Sequence, residues 1–146
     1  MAYKDVVVKL HHIFNDNTGD DPGNALELYG RWDAKRFKYD ADEGVEYLLE
    51  DKNLWNRTAN DPASVVEGTA FIIDSTVQYR IKSGEFLQII GFVSEQDDIG
   101  GNDRLGDYEG RFGVPDLKDQ PVPVPQFNES NQRVNVKITM KVLDEG

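Results

Sequence analysis

Residues 133–143, RVNVKITMKVL, alternate polar and apolar side chains from Arg133 to Val142. Successive side chains of a β-strand point to opposite faces, so this alternation gives the segment one apolar and one polar face. Arg133, Lys137 and Lys141 stand on the polar face. The pattern predicts a strand that packs into a core through Val134, Val136, Ile138, Met140 and Val142.

The same period of two recurs along the chain and indicates an all-β protein. We predict further strands over residues 5–14, 26–32, 69–81, 86–93 and 104–112. Turn-forming stretches rich in glycine, proline and asparagine stand between them. Seven or eight strands with almost no helical pattern favour an antiparallel β-sandwich, with its functional loops gathered at one end.

Two stretches leave alternatives open. Residues 41–54 fit either a helix with Asp42 as its N-cap or a strand around residues 47–49. Residues 115–125 include prolines at alternate positions, and each proline lacks the N–H that a central strand donates. We expect this proline-rich stretch to be an extended connection or a sheet edge.

The composition excludes several classes of function. The chain has 146 residues, enough for one domain with its own core, which we expect to span residues 1–146. It contains no cysteine, which excludes disulfides, thiolate zinc sites and cysteine nucleophiles. With 27 acidic and 16 basic residues its net charge is −11, which disfavours nucleic acid as a partner. Because nucleophile-elbow, phosphate-loop and His-Glu-x-x-His patterns are missing, we expect the protein not to be an enzyme.

We expect no apolar segment that directs the chain into or across a membrane. No apolar run reaches the length of about 18 residues that a transmembrane helix needs. The first ten residues include Lys4, Asp5 and Lys9 and do not form the apolar region of a secretory signal. We therefore expect a soluble chain without a transmembrane segment, in a compartment that the sequence does not indicate.

The acidic residues are concentrated in three segments. Residues 15–21 hold three acids, residues 40–51 hold six, and residues 95–109 hold six with Arg104 as the one base. Carboxylates about 4 Å apart repel by roughly 1 kcal/mol in water and by several times more near a protein surface. A hard divalent cation relieves this repulsion, and oxygen ligands without His or Cys favour Ca²⁺. Solvated acidic loops without a bound ion are the alternative interpretation.

The candidate calcium ligands lie in the first and last of these segments, each directly after a predicted strand. They are Asp16, Asp20, Asp21, Glu95, Asp97 and Asp103. An EF-hand over residues 16–27 is excluded because Asp21 stands where that loop requires glycine and because the flanking segments predict strands. The sequence therefore predicts a site shared between two loops of the sandwich.

The spacing Glu95-x-Asp97, Asp103 and Gly106 resembles the third calcium-binding loop of the C-two domain, with glutamate in place of the usual first aspartate. C-two domains are the calcium-dependent phospholipid-binding modules of protein kinase C and synaptotagmin. The resemblance implies that a first loop supplies two more aspartates, for which Asp16 and either Asp20 or Asp21 are the counterparts.

By the same resemblance, the protein is a non-enzymatic Ca²⁺-binding module that docks to a phospholipid surface or to a protein partner. Ile99, the apolar residue of the third loop, is the candidate contact with that partner. The sequence offers no basic stripe for a membrane. The oligomeric state is not indicated.

A carbohydrate-binding sandwich is the alternative function, with calcium structural or absent. Aromatic side chains stack on sugars in such proteins, and Trp32 and Trp55 are the candidates here. The two histidines, His11 and His12, are adjacent on a predicted strand. We expect them to point to opposite faces, which would prevent them from binding one metal ion together.

Overall fold

Ten strands and one short 3-10 helix form the part of the chain that the structure, a computed structural model, describes: residues 2–19, 23–97 and 102–146. The helix is Val114–Asp116. Among these residues, no helix is long and apolar enough to cross a membrane. The strands, in chain order, are β1 (Tyr3–Asn17), β2 (Ala25–Asp40), β3 (Val45–Arg57), β4 (Ala63–Val66), β5 (Ala70–Lys82), β6 (Glu85–Glu95), β7 (Asp103–Gly113), β8 (Gln120–Pro121), β9 (Phe127–Glu129) and β10 (Gln132–Glu145).

The strands form two antiparallel sheets that pack face to face. Sheet I has the order β5-β1-β10-β8, with β9 also pairing with β10. Sheet II has the order β3-β2-β6-β7, with β4 also pairing with β2. The predicted antiparallel sandwich is confirmed. The described residues contain more strands than predicted because β4, β8 and β9 span only two to four residues, too few for a periodic pattern.

The apolar faces of both sheets meet in one core. The strand predicted over residues 133–143 is the central part of β10, and its Val134, Val136, Ile138 and Met140 are buried there as expected. Trp32 is fully buried in the same core, and Trp55 lies within it as well. This corrects the expectation that the two indole rings could stack on a sugar, because neither offers an open face.

The structure shows which alternative holds for each of the two stretches left open by the sequence. Within residues 41–54, a turn over residues 41–44 leads into β3, so the helical alternative is wrong. The apolar residues there that suit a helical face instead extend the hairpin with β2, where Leu48 pairs with Phe37. The proline-rich stretch contributes β8 at the edge of sheet I, in agreement with the prediction.

A β-bulge corrects the expectation for the two histidines. The pairing of β1 with both of its neighbours shifts register between Leu10 and His12. The His11 ring lies 2.7 Å from Thr139 Oγ1, on the outer face of sheet I. His12 pairs with Lys137, whose exposed side chain is on the same outer face. The extra residue of the bulge therefore places both histidines on one face.

Candidate functional site

The two acidic loops follow strands that end at the same end of the sandwich. Gly19, just after β1, is so close to β10 that a Cβ atom on it would lie 3.0 Å from Gln132 Cγ. Gln132 Nε2 donates a hydrogen bond of 3.3 Å to Glu95 Oε1 at the end of β6. Gln132 thus connects the first loop to the third. We call this region, with residues 15–19, 94–97 and 102–103, the loop end.

The base of the third loop places two acidic residues at paired positions of neighbouring strands. Glu95 on β6 is directly opposite Asp103 on β7. Glu95 is only 2% exposed, whereas Asp103 is half-buried. Like charges on directly opposite residues of a β-ladder destabilise it unless other groups compensate. Just beyond this pair, the Asp97 N–H donates to Asn102 Oδ1 at 3.3 Å, which joins the two limbs of the loop.

Asp16 has a different arrangement from the one predicted. Its carboxylate accepts a hydrogen bond of 3.2 Å from Arg133 Nε, with which it forms an ion pair. Gln126 Nε2 donates to the same oxygen at 3.4 Å. The preceding residue, Asn15, is fully buried, while Asp16 is exposed. The charge of Asp16 is therefore balanced by Arg133 on β10, and the structure does not bring it to the third-loop carboxylates.

The described residues do not by themselves form a complete metal site. No group of three or more His, Asp or Glu side chains in residues 2–19, 23–97 and 102–146 is arranged to hold an ion. Asp20, Asp21 and Ile99, three of the residues predicted to act at the loops, lie outside the described residues. Of the third-loop candidates, Glu95 and Asp103 are at paired positions of β6 and β7, and the backbone N–H of Asp97 donates to Asn102 across the loop.

Sequence reasoning missed a layer of buried polar side chains beneath the loops. Asn15 Nδ2 donates to Thr18 Oγ1 at 3.1 Å and to the Val65 carbonyl at 2.8 Å. The Thr18 N–H donates to Glu67 Oε1 at 2.8 Å. Members of this polar layer are nearly inaccessible to solvent; they are Asn15, Thr18, Ser94, Glu95 and Gln132. The Asn15 Oδ1 atom is buried and accepts no hydrogen bond within the described parts of the chain.

The strand periodicity contains the signal that would have found this layer. Gln132 continues the inward phase of Val134 and Val136, two residues earlier in β10. Asn15 likewise follows the inward-facing Ile13 of β1. A buried polar group without a hydrogen bond is costly. A polar residue at an inward position near a strand end therefore predicts that the core ends there in hydrogen-bonded polar side chains.

A second concave feature lies on the outer face of sheet II. It is a groove of about 580 Å³ across β2, β6 and β7. Charged side chains line it beside the half-buried Ile90 and Phe92. We call it the outer groove; its charged members are Arg31, Asp33, Lys35, Arg104, Asp107 and Glu109. No sequence pattern marks this groove, because it depends on side chains from three strands.

Comparison with known proteins finds similarity in structure but not in sequence. No protein-family profile and no curated protein matches the chain. The C2A domain of plant Extended Synaptotagmin 1 matches 95% of this chain and 93% of its own, with 8% identity and a TM-score of 0.47. A C2 domain protein from Ramazzottius varieornatus matches 97% of this chain and 90% of its own, with 10% identity and a TM-score of 0.42.

A third match is a chain of the Cry23Aa1 and Cry37Aa1 binary protein complex. It covers 99% of both chains, with 18% identity and a TM-score of 0.43. The three TM-scores are all below 0.5, and no ligand or activity is inferred from these matches.

Proposed function

We propose that this protein is a non-enzymatic β-sandwich module that binds Ca²⁺ at its loop end and docks there to another surface. The observation that carries the proposal is the placement of Glu95 opposite Asp103 at an end of the sandwich that the first acidic loop also reaches. A divalent cation relieves the repulsion between acidic residues at paired positions of a ladder, and Ca²⁺ accepts the oxygen ligands available there.

In this proposal the third loop supplies the principal ligands, Glu95, Asp97 and Asp103. Ca²⁺ takes six to eight oxygen ligands, so further oxygens come from the first loop, from backbone carbonyls and from water. Asp20 and Asp21 are the first-loop candidates. Asp16 contributes only when its ion pair with Arg133 opens, and it is therefore the weakest member of the predicted set.

The effect of the ion on docking is local. Two calcium ions add four positive charges, which takes the net charge only from −11 to −7. The protein surface as a whole therefore remains acidic. Coordination positions left open on the ion accept an oxygen of the partner, either from a lipid phosphate or from a protein carboxylate. Ile99 in the third loop would then contact the partner beside the ion.

A calcium titration followed by thermal melting tests the site. We expect millimolar Ca²⁺ to raise the melting temperature, because ligand binding to the folded state alone stabilises it. The double variant Asp97→Asn with Asp103→Asn should lose this shift. Asp42→Asn, an exposed acid in the turn at the far end of β2, is the matched control and should retain it. An unchanged melting temperature at millimolar Ca²⁺ would overturn the proposal.

Vesicle sedimentation then separates the two kinds of partner. Vesicles of phosphatidylserine and phosphatidylcholine are mixed with the protein in Ca²⁺ or in EGTA. Pelleting in Ca²⁺ alone, weakened by Ile99→Glu, supports docking to phospholipid. A calcium-induced thermal shift without pelleting assigns the site to structural stabilisation or protein contact and contradicts phospholipid docking.

A further inference from the structure

The outer groove has a regular floor and two charged walls. Asp33 on β2 pairs with Ile90 on β6, and Ile90 pairs with Glu109 on β7. Directly opposite residues share a face, so Ile90 lies between the two carboxylates on the outer face of sheet II. The backbones of β2 and β7, which carry these two walls, are two strand spacings apart, about 9.5 Å.

Asp33 is an unusually buried carboxylate for an outer face. Its side chain is only 8% exposed. Arg31 Nε donates to Oδ2 at 2.7 Å, and Asn53 Nδ2 donates to Oδ1 at 3.0 Å. Burial of a charge is costly unless it is paired and hydrogen-bonded, as it is here. Both carboxylate oxygens are thereby held in fixed positions, with further acceptor capacity on each.

Glu109 is fixed in a similar way on the opposite wall. Its Oε1 atom accepts hydrogen bonds from Arg111 Nε at 2.7 Å and from Gln88 Nε2 at 2.8 Å. These two hydrogen bonds lower the pKa of Glu109 below its ordinary value, the larger effect coming from Arg111. Glu109 therefore stays ionised and accepts hydrogen bonds.

The charges that line the groove are balanced. Three cations, Arg31, Lys35 and Arg104, face three anions, Asp33, Asp107 and Glu109. Arg104 lies 3.8 Å from Asp107, and its guanidinium packs 4.1 Å from the centre of the Phe92 ring. A phosphate or another strongly anionic ligand finds no excess of positive charge here, and a cationic ligand finds no excess of negative charge.

We infer that the outer groove binds a neutral carbohydrate, with one sugar ring over Ile90 between Asp33 and Glu109. Sugar hydroxyls are both donors and acceptors, so they can donate to the two carboxylates and accept from Arg31 and Arg104. Charge-assisted hydrogen bonds to fixed groups, above a partly apolar floor, suit such a ligand. This site is separate from the loop end, and the inference does not depend on calcium binding.

The test measures retention of the protein on an array of neutral oligosaccharides in EGTA. The array carries gluco-, manno-, galacto- and chito-oligosaccharides. We expect at least one class to be retained, and calorimetry with that oligosaccharide should give a dissociation constant raised tenfold or more by Asp33→Asn combined with Glu109→Gln. The control is Asp5→Asn, which alters an arginine-paired carboxylate on sheet I and should leave binding unchanged.

A second variant keeps the test decisive if the double variant does not fold. Ile90→Trp fills the floor of the groove without removing a charge and should abolish retention. Asp97→Asn with Asp103→Asn should retain the sugar, which separates this outcome from failure at the loop end. No retention of any neutral oligosaccharide, retention of anionic glycans or peptides alone, or binding unaffected by Ile90→Trp would overturn the inference.

Discussion

Gly91 shows how one residue determines the packing of the core. It stands in the middle of β6 opposite Trp32, where a Cβ atom would lie 2.2 Å from Trp32 Cδ2. Without a side chain at this position, the indole crosses β6 and stacks near Tyr108 on β7, at a centroid distance of 6.4 Å. The same indole also stacks with Phe127, at a centroid distance of 6.2 Å. Glycine is required here for close approach.

Replacing Gly91 by alanine should therefore destabilise the protein. Forcing an extra methyl into a well-packed core costs about 1–3 kcal/mol. We expect a lower free energy of unfolding and a lower melting temperature, measured by urea denaturation and thermal melting. Gly113→Ala is the control, because a Cβ there meets nothing closer than Pro115 Cδ at 3.8 Å. Equal stability of the two variants would contradict the packing described for Trp32.

At the scale of the element, the bulge in β1 changes which side chains share a face. Strict alternation separates His11 from His12, but the extra residue brings both to the outer face of sheet I. Burial lowers the pKa of His11 below its ordinary value of 6.5, and Lys9 and Lys137 lower it further, against a smaller opposing effect of Asp74. The strand is thus more stable when His11 is neutral.

The stability of the protein should depend on this histidine at mildly acidic pH. The unfolded chain takes up the proton more readily, so lowering the pH through the ordinary histidine pKa favours unfolding. We expect the melting temperature to fall between about pH 7.5 and pH 5.5 and expect His11→Gln to reduce that fall.

His12→Gln, which keeps His11 on the bulge, is the control for the pH dependence. Carboxylates with a lowered pKa, such as Asp5 and Glu109, titrate below their ordinary values of 3.8 and 4.5 and do not contribute in this interval. An identical fall in His11→Gln and in the unaltered protein would show that His11 does not cause it.

The core of the sandwich is apolar in its middle and polar at the loop end. Gln132 on sheet I reaches Glu95 on sheet II, so this hydrogen bond joins the two sheets across the buried end of the sandwich. Buried polar groups that are hydrogen-bonded hold one specific arrangement, since their loss leaves a partner without its bond. The same contact keeps the stems of the acidic loops together.

Gln132→Ala should weaken the sandwich at this end. Removing a hydrogen bond to a buried carboxylate costs about 1–3 kcal/mol, and urea denaturation without calcium measures the change. Gln120→Ala, which removes a half-buried side chain that donates to the Asp116 carbonyl near the surface, should have little effect. If both variants unfold at the same urea concentration as the unaltered protein, Gln132 does not stabilise the loop end.

Local alternation of side chains determined the all-β character and the apolar faces of the strands, as in β10. Burial of every second residue of a strand requires an apolar residue at every second position, and this pattern can be read from the sequence alone. Short strands such as β4 and the bulge at His11 were not predicted. Their position depends on the strands with which they pair. Only the tertiary structure decided that Trp32 is buried over Gly91, that Arg133 neutralises Asp16, and that Asp33 and Glu109 flank one groove. Each of these depends on the register between strands that are distant in sequence, which no local pattern encodes.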